Sequence, residues 1–305
     1  RDWSVTGVQT CALPISLVLG ALIVGALAIR HPVNDDIINE INGSNDVAWT
    51  AASKEENPLS ALSATEVLAL AGTRIESYHY APYLASESTN DSFDARKKWG
   101  KCVHSVRNQK QCGSCWAFGA SEAFSDRACI AGHDGLYSPQ DLVSCDTTDM
   151  GCNGGWLSAV WEHLEESGIT TDDCMPYTSG SGYVAACPSH CKDGSSIQRK
   201  KCPSGSVFHA SGSDIKGHIE KHGPMETAFT VYEDFYNYRT GVYHHVTGGV
   251  AGGHAIKVLG WGNENGMDYW LCANSWGPSW AGLGGFFKIK MGDCGIDSAA
   301  YACIF

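Results

Sequence analysis

Thirteen of the fourteen cysteines stand at or beyond residue 102. So many thiols in one region constrain the chain to a cross-linked fold made in an oxidising compartment, or to a metal-held one. A zinc site wants a second closely spaced ligand pair, and none accompanies Cys112-Gly113-Ser114-Cys115. The remaining 18% charged and 43% hydrophobic residues suit a globular core, while a formal charge of −12 and no run of basic residues long enough to neutralise phosphates argue against nucleic acid or an anionic membrane as partner.

An oxidising compartment implies a secretory leader. Residues 1–16, with Val5-Thr6-Gly7-Val8-Gln9-Thr10-Cys11-Ala12-Leu13-Pro14-Ile15, read as translated sequencing adapter and are set aside, and Cys11 leaves the count with them. With Met150 the first methionine, the start is read as incomplete. Residues 17–28 are uncharged and apolar and end in Ala26-Leu27-Ala28, as a partial signal peptide would. Twelve residues are short of a bilayer span, so no stable membrane association is expected.

From residue 29 to about 83 the chain is cysteine-free and polar, with helical periodicity at Val33, Ile37, Ile38 and Ile41 and again at Leu59, Leu62, Val67, Leu68 and Leu70. This is the expected pro-segment. The shift to cysteine, glycine and tryptophan places the mature domain at 84–305. There, Ala117, Ala120, Phe124 and Ala128 predict a helix with Cys115 in its first turn; Ser138-Pro139-Gln140-Asp141 opens another; Leu157, Val160, Trp161 and Leu164 stripe a third; Ile215 and Ile219 mark a fourth. Strands are expected over 225–231, 255–261, 268–273 and 285–289. Helices before strands is the α+β order.

Cys112-Gly113-Ser114-Cys115-Trp116 has three readings: a redox dithiol, half a metal site, or a nucleophile beside a structural cysteine. The redox reading wants a βαβ context that is missing. The nucleophile reading wants a distant histidine and a carboxamide, and Gly252-Gly253-His254-Ala255 and Ala273-Asn274-Ser275-Trp276-Gly277 supply both. His190, between Cys187 and Cys191, reads as loop filler, and His244-His245 as a surface pair.

These motifs, with Ser92-Phe93-Asp94-Ala95-Arg96, Gly151-Cys152-Asn153-Gly154-Gly155 and Cys294-Gly295-Ile296, resemble the papain family of cysteine proteases, in particular its cathepsin B-like branch. The likeness spans nearly all of residues 84–305, and Ala71-Gly72-Thr73 resembles the Cys-Gly-Thr of that branch's short pro-segment. It implies a two-lobed α+β papain-like fold, a helical lobe followed by a β-barrel-like lobe. It also implies Cys115 as nucleophile, His254 as base, Asn274 orienting that base, Trp276 shielding their bond, and Gln109 with the Cys115 amide as oxyanion donors. Gly154 and Gly155 resemble the backbone that pairs with an extended substrate, and Ala299 takes the position of the P2-pocket glutamate.

The same resemblance implies disulfides Cys102–Cys129, Cys112–Cys152, Cys145–Cys187 and Cys174–Cys191, and leaves Cys202, Cys272, Cys294 and Cys303 unassigned. Neither a cofactor nor a metal is implied. Two departures matter: Lys110-Gln111 replaces the usual Gly-Ser, and the twelve residues between Cys174 and Cys187 hold none of the histidines of cathepsin B's occluding loop. The expectation is a secreted zymogen of an endopeptidase with an apolar P2 preference, a monomer, inhibited by its own pro-segment and working on peptides and proteins in lysosome-like vesicles or outside the cell. The competing class is a catalytically silent secreted binding protein on the same scaffold, whose mark would be a replaced nucleophile. Asn42-Gly43-Ser44 and Asn90-Asp91-Ser92 are three-residue glycosylation signals.

Overall fold

The computed structural model describes residues 29–76 and 81–305. The adapter and leader expectations, at 1–16 and 17–28, lie outside the described residues.

The N-terminal segment opens with α1 (Asp35–Gly43), whose N-cap Asn34 accepts from the Ile37 amide and whose Ile37, Ile38 and Ile41 are buried. Strand β1 (Trp49–Ala51) follows. The apolar run at 59–70 is not one helix. A 3₁₀ turn (Pro58–Ala61) ends before Ser63, which forms a capping box with Glu66 and starts α2 (Ala64–Ala69). The cap interrupts a periodicity that would otherwise read as continuous. Asn42 is committed as well, since its carboxamide donates to Ala51 O at 3.0 Å and accepts from Ala51 N at 2.9 Å.

Next come β2 (Phe93–Asp94), α3 (Ala95–Trp99) and the 16-residue α4 (Cys115–Ile130). All of α4 except its last residue is buried, its charged Glu122, Asp126 and Arg127 included, of which Asp126 accepts from Lys257 Nζ at 2.7 Å and Arg127 donates to Pro224 O at 2.6 Å. Around it pack α5 (Pro139–Cys145) and α6 (Leu157–Glu166), where the expected stripe of Leu157, Val160, Trp161 and Leu164 is buried.

The second half supplies β3 (Val207–Ala210), α7 (Asp214–His222), β4 (Met225–Tyr232), β5 (Tyr238–Tyr243), β6 (Val250–Glu264), β7 (Met267–Ala273), β8 (Phe286–Lys290) and β9 (Ala300–Cys303). They form one mixed sheet in the order β1-β5-β8-β7-β6-β4-β9-β3, with β2 on β6. The N-terminal segment thus contributes an edge strand to the sheet of the second lobe. Trp49 anchors it, with its indole N–H on His244 O at 2.9 Å and its ring 5.1 Å from that of Tyr243.

Among the described residues five disulfides cross-link the chain: Cys102–Cys129, Cys112–Cys152, Cys145–Cys187, Cys174–Cys191 and Cys202–Cys303. The last joins residues 101 apart and so closes the longest loop, while Cys115, Cys272 and Cys294 stay free.

Candidate active site

Cys115 opens α4, where unsatisfied amides and the helix dipole favour an anion. His254 lies on β6 and Asn274 just beyond β7, strands that pair side by side. Asn274 Oδ1 meets His254 Nε2 at 2.7 Å, which leaves Nδ1 as the ring nitrogen available to the thiol. The Trp276 ring, 4.7 Å from the imidazole, covers this pair, and both residues are fully buried.

Burial opposes ionisation of the Cys115 thiol, but the charge of His254 and its hydrogen-bonding capacity outweigh that penalty and, with Ala255 and Thr73, bring the pKa down to about 7. The contact with His254 is electrostatic more than a formed hydrogen bond, because Nδ1 has no partner of acceptable geometry. Thr73 Oγ1 takes the sulfur instead, at 3.0 Å.

The buried Gln109 carboxamide is held by Ser275 Oγ, which donates to its Oε1 at 2.6 Å. Its Nε2 donates to Cys112 O at 2.8 Å and to Leu70 O at 3.0 Å. A carbonyl of the N-terminal segment therefore occupies the donor that the sequence assigns to the oxyanion.

Residues 71–76 fill the cleft as a segment that bridges both walls through Gly72 and Thr73. Thr73 N donates to Gly253 O at 2.9 Å and Arg74 N to Gly155 O at 2.8 Å, while Gly155 N donates to Gly72 O at 3.2 Å. The approach is possible only because side chains are missing. A Cβ on Gly72 would stand 2.1 Å from Gly113 O, and one on Gly154, at φ +112°, 2.2 Å from Gly72 O. Further along, the Glu76 carboxylate accepts from Ser158 N at 3.0 Å and Ser158 Oγ at 2.6 Å in the first turn of α6. Sequence reasoning missed Glu76, for which no local signal exists.

Ala299 lines a pocket beside the cleft with Ala228, Phe229, Cys294 and Tyr301, and Ile75 and Glu76 enter it from the N-terminal segment. The Asp297 carboxylate is turned away to the Gly292 amide and the Trp270 indole. His244 and His245 lie between β5 and β6, where the His245 ring stacks on Tyr232 at 3.6 Å and meets Asp234 at 3.2 Å. The segment between Cys174 and Cys187 folds against the Gln109–Cys112 loop, with Gly180 O accepting from Gln111 N at 3.0 Å.

Residues 89–304 match the family model described as papain family cysteine protease, and the chain belongs to that family. It is 37% identical to "Cathepsin B-like cysteine proteinase 4" of Caenorhabditis elegans, over 93% of this chain and 97% of that one. To "Cathepsin B-like CP2" of Giardia intestinalis it is 44% identical, over 70% and 74%. Among solved structures, procathepsin B S9 from Trypanosoma congolense superposes with a TM-score of 0.81 at 28% identity, over 90% of this chain and 99% of that one. The digestive procathepsin L2 of Tenebrio molitor gives 0.73 at 29%, over 88% and 87%. This is a cathepsin B-like cysteine peptidase with a proform fold.

Proposed function

We propose that Cys115 is the nucleophile of a secreted zymogen whose 29–83 segment is the inhibitor and whose 84–305 domain is the peptidase. The observation that carries this reading is the buried line of Cys115, His254 and Asn274, with the thiol brought to about 7. The Cys115 thiolate attacks the scissile carbonyl carbon, and the oxyanion that forms is bound by the Cys115 amide and Gln109 Nε2. As the C–N bond breaks, the His254 imidazolium gives its proton to the leaving amine. Water then attacks the thioester, His254 takes its proton, and the acid leaves. Asn274 keeps the ring turned towards sulfur throughout.

Ala299 leaves the P2 pocket without a carboxylate from 294–299 other than Asp297, which is engaged elsewhere. An apolar P2 residue follows. The short, histidine-free 175–186 segment supports endopeptidase action with little dipeptide release. Five disulfides support passage through the secretory pathway to acidic vesicles or the exterior. Digestion of an N-blocked peptide carrying Leu or Arg at P2, analysed by mass spectrometry, tests the specificity. Internal cleavage one residue beyond Leu, with Leu at P2, is expected; stepwise C-terminal dipeptides, or a preference for Arg at P2, would refute it.

A further inference from the structure

The loop that carries Gln109 needs support from outside itself. Lys110 sits at φ +52°, a left-handed conformation that a lysine adopts at a cost, and from within the loop its backbone is bonded by Asn108, which accepts from the Lys110 amide at 2.8 Å, and by Gln109 Nε2, which donates to Cys112 O at 2.8 Å. Across from it stands Tyr177, three residues after Cys174 and inside the shortened disulfide-bounded segment. Its hydroxyl donates to Gln109 O at 2.8 Å and lies 3.1 Å from Ser114 Oγ. With the phenolic hydrogen spent on Gln109, Ser114 is the donor in the second bond. Ser114 is the N-cap of α4, yet its hydroxyl makes no capping hydrogen bond and is directed to Tyr177 instead.

One phenol therefore joins the two halves of the oxyanion site, the Gln109 loop and the residue immediately before the Cys115 amide. We propose that Tyr177 is a positioning residue of this enzyme, setting the distance between the two oxyanion donors through the Gln109 carbonyl and the Ser114 hydroxyl. The inference rests on the assignment of Gln109 made above. Tyr177 is itself fixed: its ring meets Phe118 edge-to-face at 4.8 Å, and the next two amides, Thr178 N and Ser179 N, both donate to Gln140 Oε1 at 2.8 and 2.9 Å. Burial pushes its pKa up to about 12, so it remains a donor across the working range. In this chain the segment that would otherwise occlude the cleft braces the catalytic loop.

The test uses enzyme activated from the full chain. Tyr177→Phe keeps the ring and removes the hydroxyl, and kcat is expected to fall about three- to tenfold, the scale of one net hydrogen bond, with KM changed less than about twofold. Affinity for a peptide aldehyde, whose hemithioacetal oxygen occupies the oxyanion site, should fall in the same proportion. Ser114→Ala should lower kcat in the same sense but less. On a Gln109→Ala background, Tyr177→Phe should add almost nothing, because the donor it positions is gone. If Gln109→Ala is slow while Tyr177→Phe matches the parent, or if the two losses multiply, the positioning role is refuted and the oxyanion assignment survives. If Gln109→Ala leaves kcat unchanged, the assignment and this inference fall together.

Discussion

The Thr73 hydroxyl lies 3.0 Å from the Cys115 sulfur, in a segment whose neighbour Leu70 also occupies the Gln109 donor. The N-terminal segment thus engages the proposed nucleophile and the proposed oxyanion donor at once. Thr73→Val removes the first contact with little change of shape. In unprocessed protein, labelling of Cys115 by a peptidyl ketone should accelerate about two- to tenfold, the range expected for one hydrogen bond. An unchanged rate would mean that the contact does not hold the cleft shut.

Gly72 offers a sterner variant. A methyl group there cannot coexist with Gly113 O at 2.1 Å, so Gly72→Ala should displace the segment at a cost of about 1–3 kcal/mol and raise the same labelling rate by roughly one to two orders of magnitude. Gly43→Ala, where nothing lies within 4 Å, is the matched control and should change nothing.

Three buried carboxyls tie stability to pH. Burial raises Asp149 to about 8, Glu122 to about 7 in spite of Lys257 at 3.7 Å, and Glu226 well above the ordinary range. A carboxyl with a raised folded-state pKa holds its proton more tightly when folded. Its contribution is whole below the unfolded value near ~4 and is lost as pH climbs to the folded value. The melting temperature of the full chain should therefore fall between about pH 4.5 and 8, at ~2–4 °C per kcal/mol. Asp149→Asn keeps an acceptor for the Trp156 amide and should flatten that slope. Calorimetry across this range checks the sign.

The pocket at Ala299 makes a specificity switch testable. Ala299→Glu places a carboxylate among Ala228, Phe229 and Tyr301, and the Arg-to-Leu ratio of kcat/KM at P2 should rise about ten- to a hundredfold. No change would place the P2 side chain elsewhere.

Helices α4, α6 and α7 were legible from apolar residues at helical spacing, α5 from its Ser138-Pro139 start, and strands β4, β6, β7 and β8 from runs set off by Gly and Asn turns. Strand β1 was not: Trp49-Thr50-Ala51 is three residues long, and its reason to be a strand is the edge of β5, some 190 residues away. Cys115, His254 and Asn274 could be named from motifs whose spacing carries chemistry. The Cys202–Cys303 pair could not, because cysteine connectivity across 101 residues has no sequence signature. Tyr177 and Glu76 were invisible for a related reason, as each acts through a partner distant in the chain, Gln109 for one and Ser158 for the other.

A Cys115 peptidase held closed by its own N-terminal segment should stay silent until that segment is lost. The most direct measurement follows peptidase activity and chain length together, in the full chain and its Cys115→Ser variant, at mildly acidic pH with reductant. Activity on a Leu-P2 peptide is expected to appear as the N-terminal segment is lost, with Cys115→Ser silent even after that segment is removed by an added protease. Equal activity in Cys115→Ser, or silence from folded, processed parent enzyme, would contradict it.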